Sequence, residues 1–201
     1  MIDDSPAPPE VTEAEIVALE EGLDAYTYVF ISRARRHPPK PVNLGGNGNL
    51  TLIRQSTGET LTARYRNKDG SYNTAELEKI TRIMRCSLTG RTAGVAVKLA
   101  ELLDAVEDHF GKRGLILLSG YRTPQLNGRV AGAARYSLHM LGWAADIRIA
   151  GHNSAKVARY ARKLNVGGVG YYPSKGFTHL DVGGSRHWTA ERPSRRPAAR
   201  R

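Results

Sequence analysis

The 201-residue chain contains a single cysteine, Cys86. An internal disulfide is therefore excluded, and a zinc cluster held by several thiolates is excluded with it. If the protein binds a metal, histidine and carboxylate side chains must supply the ligands. The chain also lacks an uninterrupted run of about 18 apolar residues, so no membrane-spanning helix is expected.

The N-terminus contains no visible signal peptide. Its first residues, MIDDSPAPPEVTEAE, are acidic where the start of a signal peptide is basic. The sequence alone does not decide between a native start and a chain from which a leader has been removed.

Positive charge is abundant but unevenly distributed, and the net charge is +11. The C-terminal segment ERPSRRPAARR (191–201) has no apolar period and is predicted to be a disordered, Arg-rich tail. A second basic cluster is RARRHPPK. Such charge favours either solubility with loose attraction to acidic molecules, or contact with an anionic polymer such as nucleic acid or an acidic cell wall. No helix-turn-helix, zinc-finger or aromatic stacking motif supports a specific nucleic-acid partner.

The length suits one domain with a substantial core. Residues 1–44 are predicted to form an N-terminal extension, because the segment HPPKPVNLGGNGN interrupts every periodic pattern. Within the extension, an amphipathic helix is predicted from Thr12 to about Arg36, with Ile16, Leu19, Leu23, Tyr26 and Phe30 on its apolar face. We expect the folded domain to cover residues 45–190, with the tail after it.

The folded domain is predicted to be α+β, with a small, mainly antiparallel sheet flanked by helices. The segment LTLIRQSTGETLTARYR is typical of a β-hairpin. Asn73 and Glu76 predict a capped helix that runs through Met84. The remaining predicted elements are helices over Thr92–Phe110, RTPQLNGRV and Asn153–Leu164, and strands at LILLS, GWAADIRIA, GVGYY and FTHLDVG.

Two segments carry histidine and aspartate in patterns that suit a metal site. SLHMLGWAAD places His139 and Asp146 around Gly142, which lets the backbone turn, and around two small alanines. FTHLDVG places His179 and Asp181 two residues apart, so on a strand both face the same way. Each segment alone is also compatible with an ordinary half-buried strand. If the two strands are neighbours, His139, Asp146 and His179 can converge as the three protein ligands of a catalytic zinc site.

The first segment matches SxHxxGxAxD at every fixed position. It resembles the signature of the zinc D-Ala-D-Ala peptidases and their lysostaphin-like and hedgehog-like relatives. The segments LTLIRQSTGETLTARYR, LLSGYRTPQLN and GGVGYYPSKGFTHLDVGGSRHW resemble the murein endopeptidase K-like branch of that group. The resemblance extends from about Leu50 to Trp188 and leaves out the first forty residues and the Arg-rich tail.

The resemblance implies a hedgehog-like or DD-peptidase-like domain with one Zn²⁺ per chain, held by His139, Asp146 and His179. It also implies a hydrolase of the periplasm or cell envelope that cleaves the stem-peptide cross-links of peptidoglycan. Arg122 matches the residue with which relatives steady the substrate carbonyl or carboxylate. Tyr121 and Ser137 are the other expected substrate contacts.

The sequence departs from the wider group at one position. Several relatives carry Glu or Asp three residues before the last zinc histidine, as the general base, whereas this chain has Gly176 there. Asp181 is therefore predicted to take the proton from the attacking water, because it shares a strand face with His179. His187 is a second candidate, for acid–base work or for stabilising the oxyanion.

Three other functions stay open on the sequence alone. A D-Ala-D-Ala carboxypeptidase would use the same chemistry. A non-catalytic, zinc-containing cell-wall-binding module would keep the metal and lose the catalysis. A basic nucleic-acid binder would use the zinc structurally. Neither the bond that is cut nor the oligomeric state follows from the sequence.

Overall fold

One seven-stranded sheet organises the fold. The computed structural model describes residues 23–111 and 113–190. The order across the sheet is β2-β1-β3-β4-β6-β5-β7, with β1–β3 and β5–β7 parallel and the other neighbours antiparallel. The strands are β1 (Asn49–Arg54), β2 (Thr60–Arg64), β3 (Leu115–Ser119), β4 (Ala144–Ile149), β5 (Gly168–Tyr172), β6 (Phe177–Asp181) and β7 (Arg186–Thr189).

The predicted α+β class and the mainly antiparallel sheet are confirmed. The sheet is larger than predicted because β7 was missed. Its sequence, RHWT, shows no alternation of apolar and polar residues, and it pairs only with β5 at the end of the sheet.

Five α-helices and one 3₁₀ helix lie in the described part of the chain. Asn73 caps the second helix as predicted, since its side chain accepts the Glu76 N–H. Asn153 caps the last one, and Asn165 ends it in the left-handed conformation. The helices are α1 (Ala25–Arg36), α2 (Thr74–Ile83), α3 (Val97–His109), α4 (Pro124–Arg129) and α5 (Ser154–Leu164), with the 3₁₀ helix at Leu138–Leu141.

Helix α3 begins later than predicted, at Val97 instead of Thr92. The backbone before it is bonded elsewhere: the Val95 N–H donates to Thr81 Oγ1 at 3.1 Å, and the Ala96 N–H donates to the Gly142 carbonyl at 3.4 Å. These bonds hold the approach to α3 against α2 and against the turn that follows the 3₁₀ helix.

The face that α1 buries differs from the predicted one. Thr27 and Ile31 are buried, and Ile31 packs against the 3₁₀ helix, whereas Tyr26 is 72% exposed. The prediction that Tyr26 lies on the apolar face is therefore wrong, although Phe30 does pack beside Ile31. The part of the predicted helix before Leu23 lies outside the described residues.

The main core lies between one face of the sheet and helices α2, α3 and α5. Side chains alternate along a strand, so β4 directs Ala145, Ile147 and Ile149 into this core. Asp146 on β4 and His179 on β6 consequently face the other side of the sheet. No helix within residues 23–111 and 113–190 is long and apolar enough to cross a membrane.

Candidate metal centre

Three side chains from two neighbouring strands and one short helix converge on the face of the sheet away from the main core. Asp146 and His179 are directly opposed in the antiparallel pairing of β4 with β6. His139 comes from the 3₁₀ helix that precedes β4. The three groups are the one candidate metal cluster in the described part of the chain.

The spacing of SLHMLGWAAD reflects how His139 is presented. The Ser137 side chain caps the 3₁₀ helix by accepting the His139 N–H. Gly142 ends the helix with φ at +73°, a conformation that favours glycine. A Cβ at this position would also lie 2.7 Å from the Gly94 carbonyl oxygen. The short helix therefore starts and stops so that His139 faces β4.

The distances between the three candidate ligand atoms suit a tetrahedral metal. His139 Nε2 lies 3.2 Å from His179 Nδ1 and 3.4 Å from Asp146 Oδ1, and His179 Nδ1 lies 2.8 Å from Asp146 Oδ1. Ligands about 2.0–2.1 Å from a tetrahedral zinc are roughly 3.3 Å apart. The side chains therefore need only small adjustments to hold such an ion.

The hydrogen bonds on the far side of each ring leave a lone pair at the centre. His139 Nδ1 lies 2.6 Å from the Gly120 carbonyl oxygen, which can only accept, so Nδ1 carries the proton. His179 Nε2 lies 3.0 Å from Asp181 Oδ2, and the same argument places its proton there. His139 Nε2 is then free to coordinate. His179 Nδ1 lies 2.8 Å from Asp146 Oδ1 and becomes free to coordinate when a metal replaces the proton shared with that oxygen. Partners of this kind, which orient a metal-binding histidine, are typical of metal sites.

The charges at the centre also suit metal binding. Burial opposes ionisation of Asp146, but His139 and His179 outweigh burial and lower the pKa of its carboxyl. Burial lowers the pKa of His139 and keeps it neutral. For His179, hydrogen bonds to Asp146 and Asp181 outweigh burial and raise the pKa. An ionised Asp146 and a neutral His139 are the forms that bind metals, and His179 must release its second proton when a metal binds.

Arg122 is buried beside the centre. Its Nε donates to Ser119 Oγ at 2.8 Å, and its Nη2 donates to Asp146 Oδ2. Asp146 thus offers one oxygen to Arg122 and the other to the two histidines. Arg122 also lines the adjoining groove, as does Ser137.

The groove next to the three ligands has a volume of about 290 Å³. Tyr172 and Phe177 stack at 4.3 Å on one side of it, and Trp188 Nε1 donates to the Tyr172 hydroxyl at 3.2 Å. Lys175 and Arg186 add positive charge at its edge. Sequence reasoning did not single out Tyr172, Phe177 or Trp188 as lining residues. The available signal was the concentration of aromatic residues in and around FTHLDVG.

Comparison with known proteins agrees with this geometry. A family model described as "Peptidoglycan L,D-endopeptidase MepK" matches residues 45–188. The chain belongs to this peptidase family. The Escherichia coli (strain K12) protein named "Peptidoglycan L,D-endopeptidase MepK" is 33% identical over 144 residues, covering 69% of this chain and 79% of that protein. The Haemophilus influenzae protein named "Probable peptidoglycan L,D-endopeptidase MepK" is 33% identical over 145 residues, covering 69% and 77%.

Membership of the MepK family confirms the resemblance on which the sequence interpretation rested. It also supports the prediction of a peptidase enzyme. The roles of individual residues do not follow from it, and they depend on where the structure places each side chain.

Asp181 occupies a position that does not suit a general base. Its side chain is fully buried and contacts Nε2 of His179, on the side of the ring opposite the candidate ligand atom Nδ1. Its oxygens also accept from two backbone N–H groups and from Arg186. A base for the attacking water must be within reach of that water. Asp181 is among the residues that line the groove, but it contacts the ring on the side away from Nδ1.

Two predicted residues, His187 and Tyr121, are not among those that line the groove. His187 is exposed, and its neighbours Arg186 and Trp188 line the groove, so the alternation along β7 directs His187 to the opposite face. Tyr121 is buried, and its backbone N–H donates to the Met84 carbonyl. It lines a separate small cavity with Arg54 and Arg85.

Proposed function

We propose that this chain is a zinc-dependent peptidoglycan L,D-endopeptidase that hydrolyses stem-peptide cross-links, with a hedgehog-like or DD-peptidase-like domain over residues 45–190. The observation that carries the proposal is the convergence of His139, Asp146 and His179, with one ring nitrogen of each histidine directed inward and the other hydrogen-bonded outside the centre. The names of the MepK relatives supply the reaction and the type of bond.

Each ligand has a defined task in this proposal. His139 Nε2, Asp146 Oδ1 and His179 Nδ1 would hold one zinc ion per chain and leave a position open toward the groove. Zinc, when bound, acts as a Lewis acid on the scissile carbonyl and on the attacking water. Arg122 holds the second oxygen of Asp146 and presents a guanidinium to substrate in the groove.

The groove suits an acidic peptide. The stem peptides of peptidoglycan carry carboxylates, and Lys175 and Arg186 lie at the groove edge. The stacked rings of Tyr172 and Phe177 offer a flat apolar wall for the aliphatic parts of such a peptide. The proposed partner is therefore peptidoglycan, and the proposed location is the periplasm or cell envelope.

Digestion of defined muropeptides tests the proposal. Dimers whose bridging bond joins an L-centre to a D-centre should be split into monomers, as identified by mass, and a chelator should abolish cleavage. Dimers with a D,D bridging bond should stay intact. His139→Ala should lose most of its zinc and all measurable cleavage, because two ligands cannot hold a catalytic zinc. His37→Ala, an exposed histidine on another part of the chain, is the matched control.

Each alternative function predicts a different product. Loss of a terminal D-alanine with the dimers left intact would make the protein a carboxypeptidase. Zinc binding with no change in any muropeptide would favour a cell-wall-binding module. Full zinc content in His139→Ala would contradict the ligand assignment itself.

A further inference from the structure

We propose that Asp181 and Arg186 are positioning residues, which together hold the His179 imidazole with Nδ1 directed at the metal. The inference rests on the proposed zinc function, and it assigns Asp181 a role other than general base. It also gives β7, which supplies no metal ligand, a part in forming the centre.

The Asp181 carboxylate has its acceptor capacity occupied. Oδ1 accepts from the backbone N–H groups of Gly168, at 3.0 Å, and Gly183, at 2.9 Å. Oδ2 accepts from His179 Nε2 at 3.0 Å and from Arg186 Nη2 at 2.7 Å. A carboxylate accepts about four hydrogen bonds. The group is therefore fully engaged in holding its neighbours.

Two nearby glycines make room for this arrangement, Gly168 at the start of β5 and Gly183 after β6. A Cβ added at Gly168 would lie 2.3 Å from Asp181 Oδ2, which is too close for an ordinary side chain, and one added at Gly183 would lie 3.2 Å from Oδ1, which is tight. The absence of a side chain at Gly168 in particular leaves space for the carboxylate beside its donors.

Arg186 fixes the carboxylate from the open side. Its Nη1 and Nη2 donate to the two oxygens of Asp181, at 3.2 and 2.7 Å, in the bidentate geometry that favours arginine over lysine. Its guanidinium also lies 5.3 Å from the Trp188 ring, which in turn lies 5.3 Å from the His179 ring. Arg186 and Trp188 thus contact the ligand ring and its carboxylate partner from one strand.

The consequence is a single usable orientation of His179. With Nε2–H donating to Asp181, the ring presents its Nδ1 lone pair to the centre, beside Asp146. A carboxylate partner also makes the coordinating nitrogen a stronger ligand. Loss of such a partner typically weakens metal binding about 10–100-fold.

Zinc affinity, measured by competition with a chromophoric chelator, tests the inference without relying on activity. Asp181→Asn should bind zinc about 10–100-fold more weakly than the unaltered protein, because the amide no longer enforces the Nε2–H form. Arg186→Gln should weaken binding in the same direction and by less. Arg186→Lys should not restore it fully, since lysine cannot make the bidentate contact. Arg159→Gln, an exposed arginine on α5, should bind zinc normally.

The visible absorption spectrum of the Co²⁺-loaded proteins is the second measurement. It should change in Asp181→Asn and Arg186→Gln, because the His179 ligand is displaced, and should be unchanged in Arg159→Gln. Unaltered zinc affinity and Co²⁺ spectra in both Asp181→Asn and Arg186→Gln, with turnover lost in Asp181→Asn, would overturn the inference and make Asp181 the base. If Asp181→Asn does not fold, by circular dichroism, the half-exposed Arg186 decides the question alone. Failure of the unaltered protein to bind zinc would instead refute the proposed function.

Discussion

Two glycines near β6 differ in how much space surrounds them, Gly168 at the start of β5 and Gly184 between β6 and β7. A Cβ at Gly168 would lie 2.3 Å from Asp181 Oδ2 and 2.8 Å from Arg186 Nη1. A Cβ at Gly184 would have no heavy atom within 4 Å. The two positions therefore separate the need for space around the Asp181 carboxylate from the general need for flexible turns.

Gly168→Ala is predicted to disturb the metal centre, whereas Gly184→Ala is not. The added methyl must displace Asp181 or Arg186, which we expect to cost about 1–3 kcal/mol of stability, as overpacking does. Zinc affinity should fall with it, because Asp181 orients His179. Thermal unfolding and chelator competition on both variants check this. Equal behaviour of the two alanine variants would show that the carboxylate has more room than the contacts indicate.

The three residues of the candidate metal cluster were predictable from the sequence, but the side of the His179 ring that Asp181 contacts was not. The two-residue spacing of His179 and Asp181 places both on one strand face, and that relation holds in the structure. Which nitrogen of the His179 ring contacts the Asp181 carboxylate depends on the ring's rotamer. It also depends on the donors from β5 and β7 that hold the carboxylate in place. Those donors are distant in sequence or lie on a strand that has no recognisable pattern.

Helix α3 carries three buried acidic residues, Glu101, Asp104 and Glu107. The loop before β1 donates to Asp104, β1 donates to Glu107, and Arg66 forms an ion pair with Glu101. Asp104 accepts from the Gly48 N–H and from the Tyr65 hydroxyl, both at 2.8 Å. The spacing of apolar residues along the chain predicted this helix. It contained no information on which segments cover the acidic side chains of the helix.

Glu107→Ala is predicted to destabilise the fold without altering the metal centre. Glu107 accepts from the Thr51 N–H at 2.8 Å and from the Gly114 N–H at 3.1 Å, so its removal leaves two backbone donors without an acceptor. Burial raises the pKa of Glu107, and relief from burying this carboxylate offsets part of the loss. We expect a net loss of about 1–3 kcal/mol in urea unfolding.

The control for this prediction is Glu78→Ala, an exposed glutamate on α2. It should leave the free energy of unfolding within about 0.5 kcal/mol of the unaltered value. Both variants should bind zinc normally. A Glu107→Ala protein as stable as the control would mean that the two N–H groups find water or another acceptor.

At the scale of the whole molecule, the C-terminal segment carries a large share of the net positive charge. Residues 191–201, which lie outside the described residues, carry five arginines and one glutamate, and so hold four of the eleven net positive charges. The last described backbone bond joins the Ala190 N–H to the Tyr171 carbonyl at 2.8 Å. Among residues 23–111 and 113–190, those that line the groove all precede Ala190.

Truncation after Ala190 is therefore predicted to leave the chemistry intact and to weaken attachment to the polymer. Zinc content and turnover of soluble muropeptides should match those of the full chain, since β7 and every groove residue are retained. Binding to intact sacculi, measured by co-sedimentation, should fall, and the difference should be larger at about 10 mM salt than at about 0.15 M, where exposed charges are screened over roughly 8 Å. A full-length variant with the five arginines replaced by glutamine separates charge from length and should behave like the truncated protein. A truncated protein that no longer cleaves small substrates would show that residues 191–201 act at the groove.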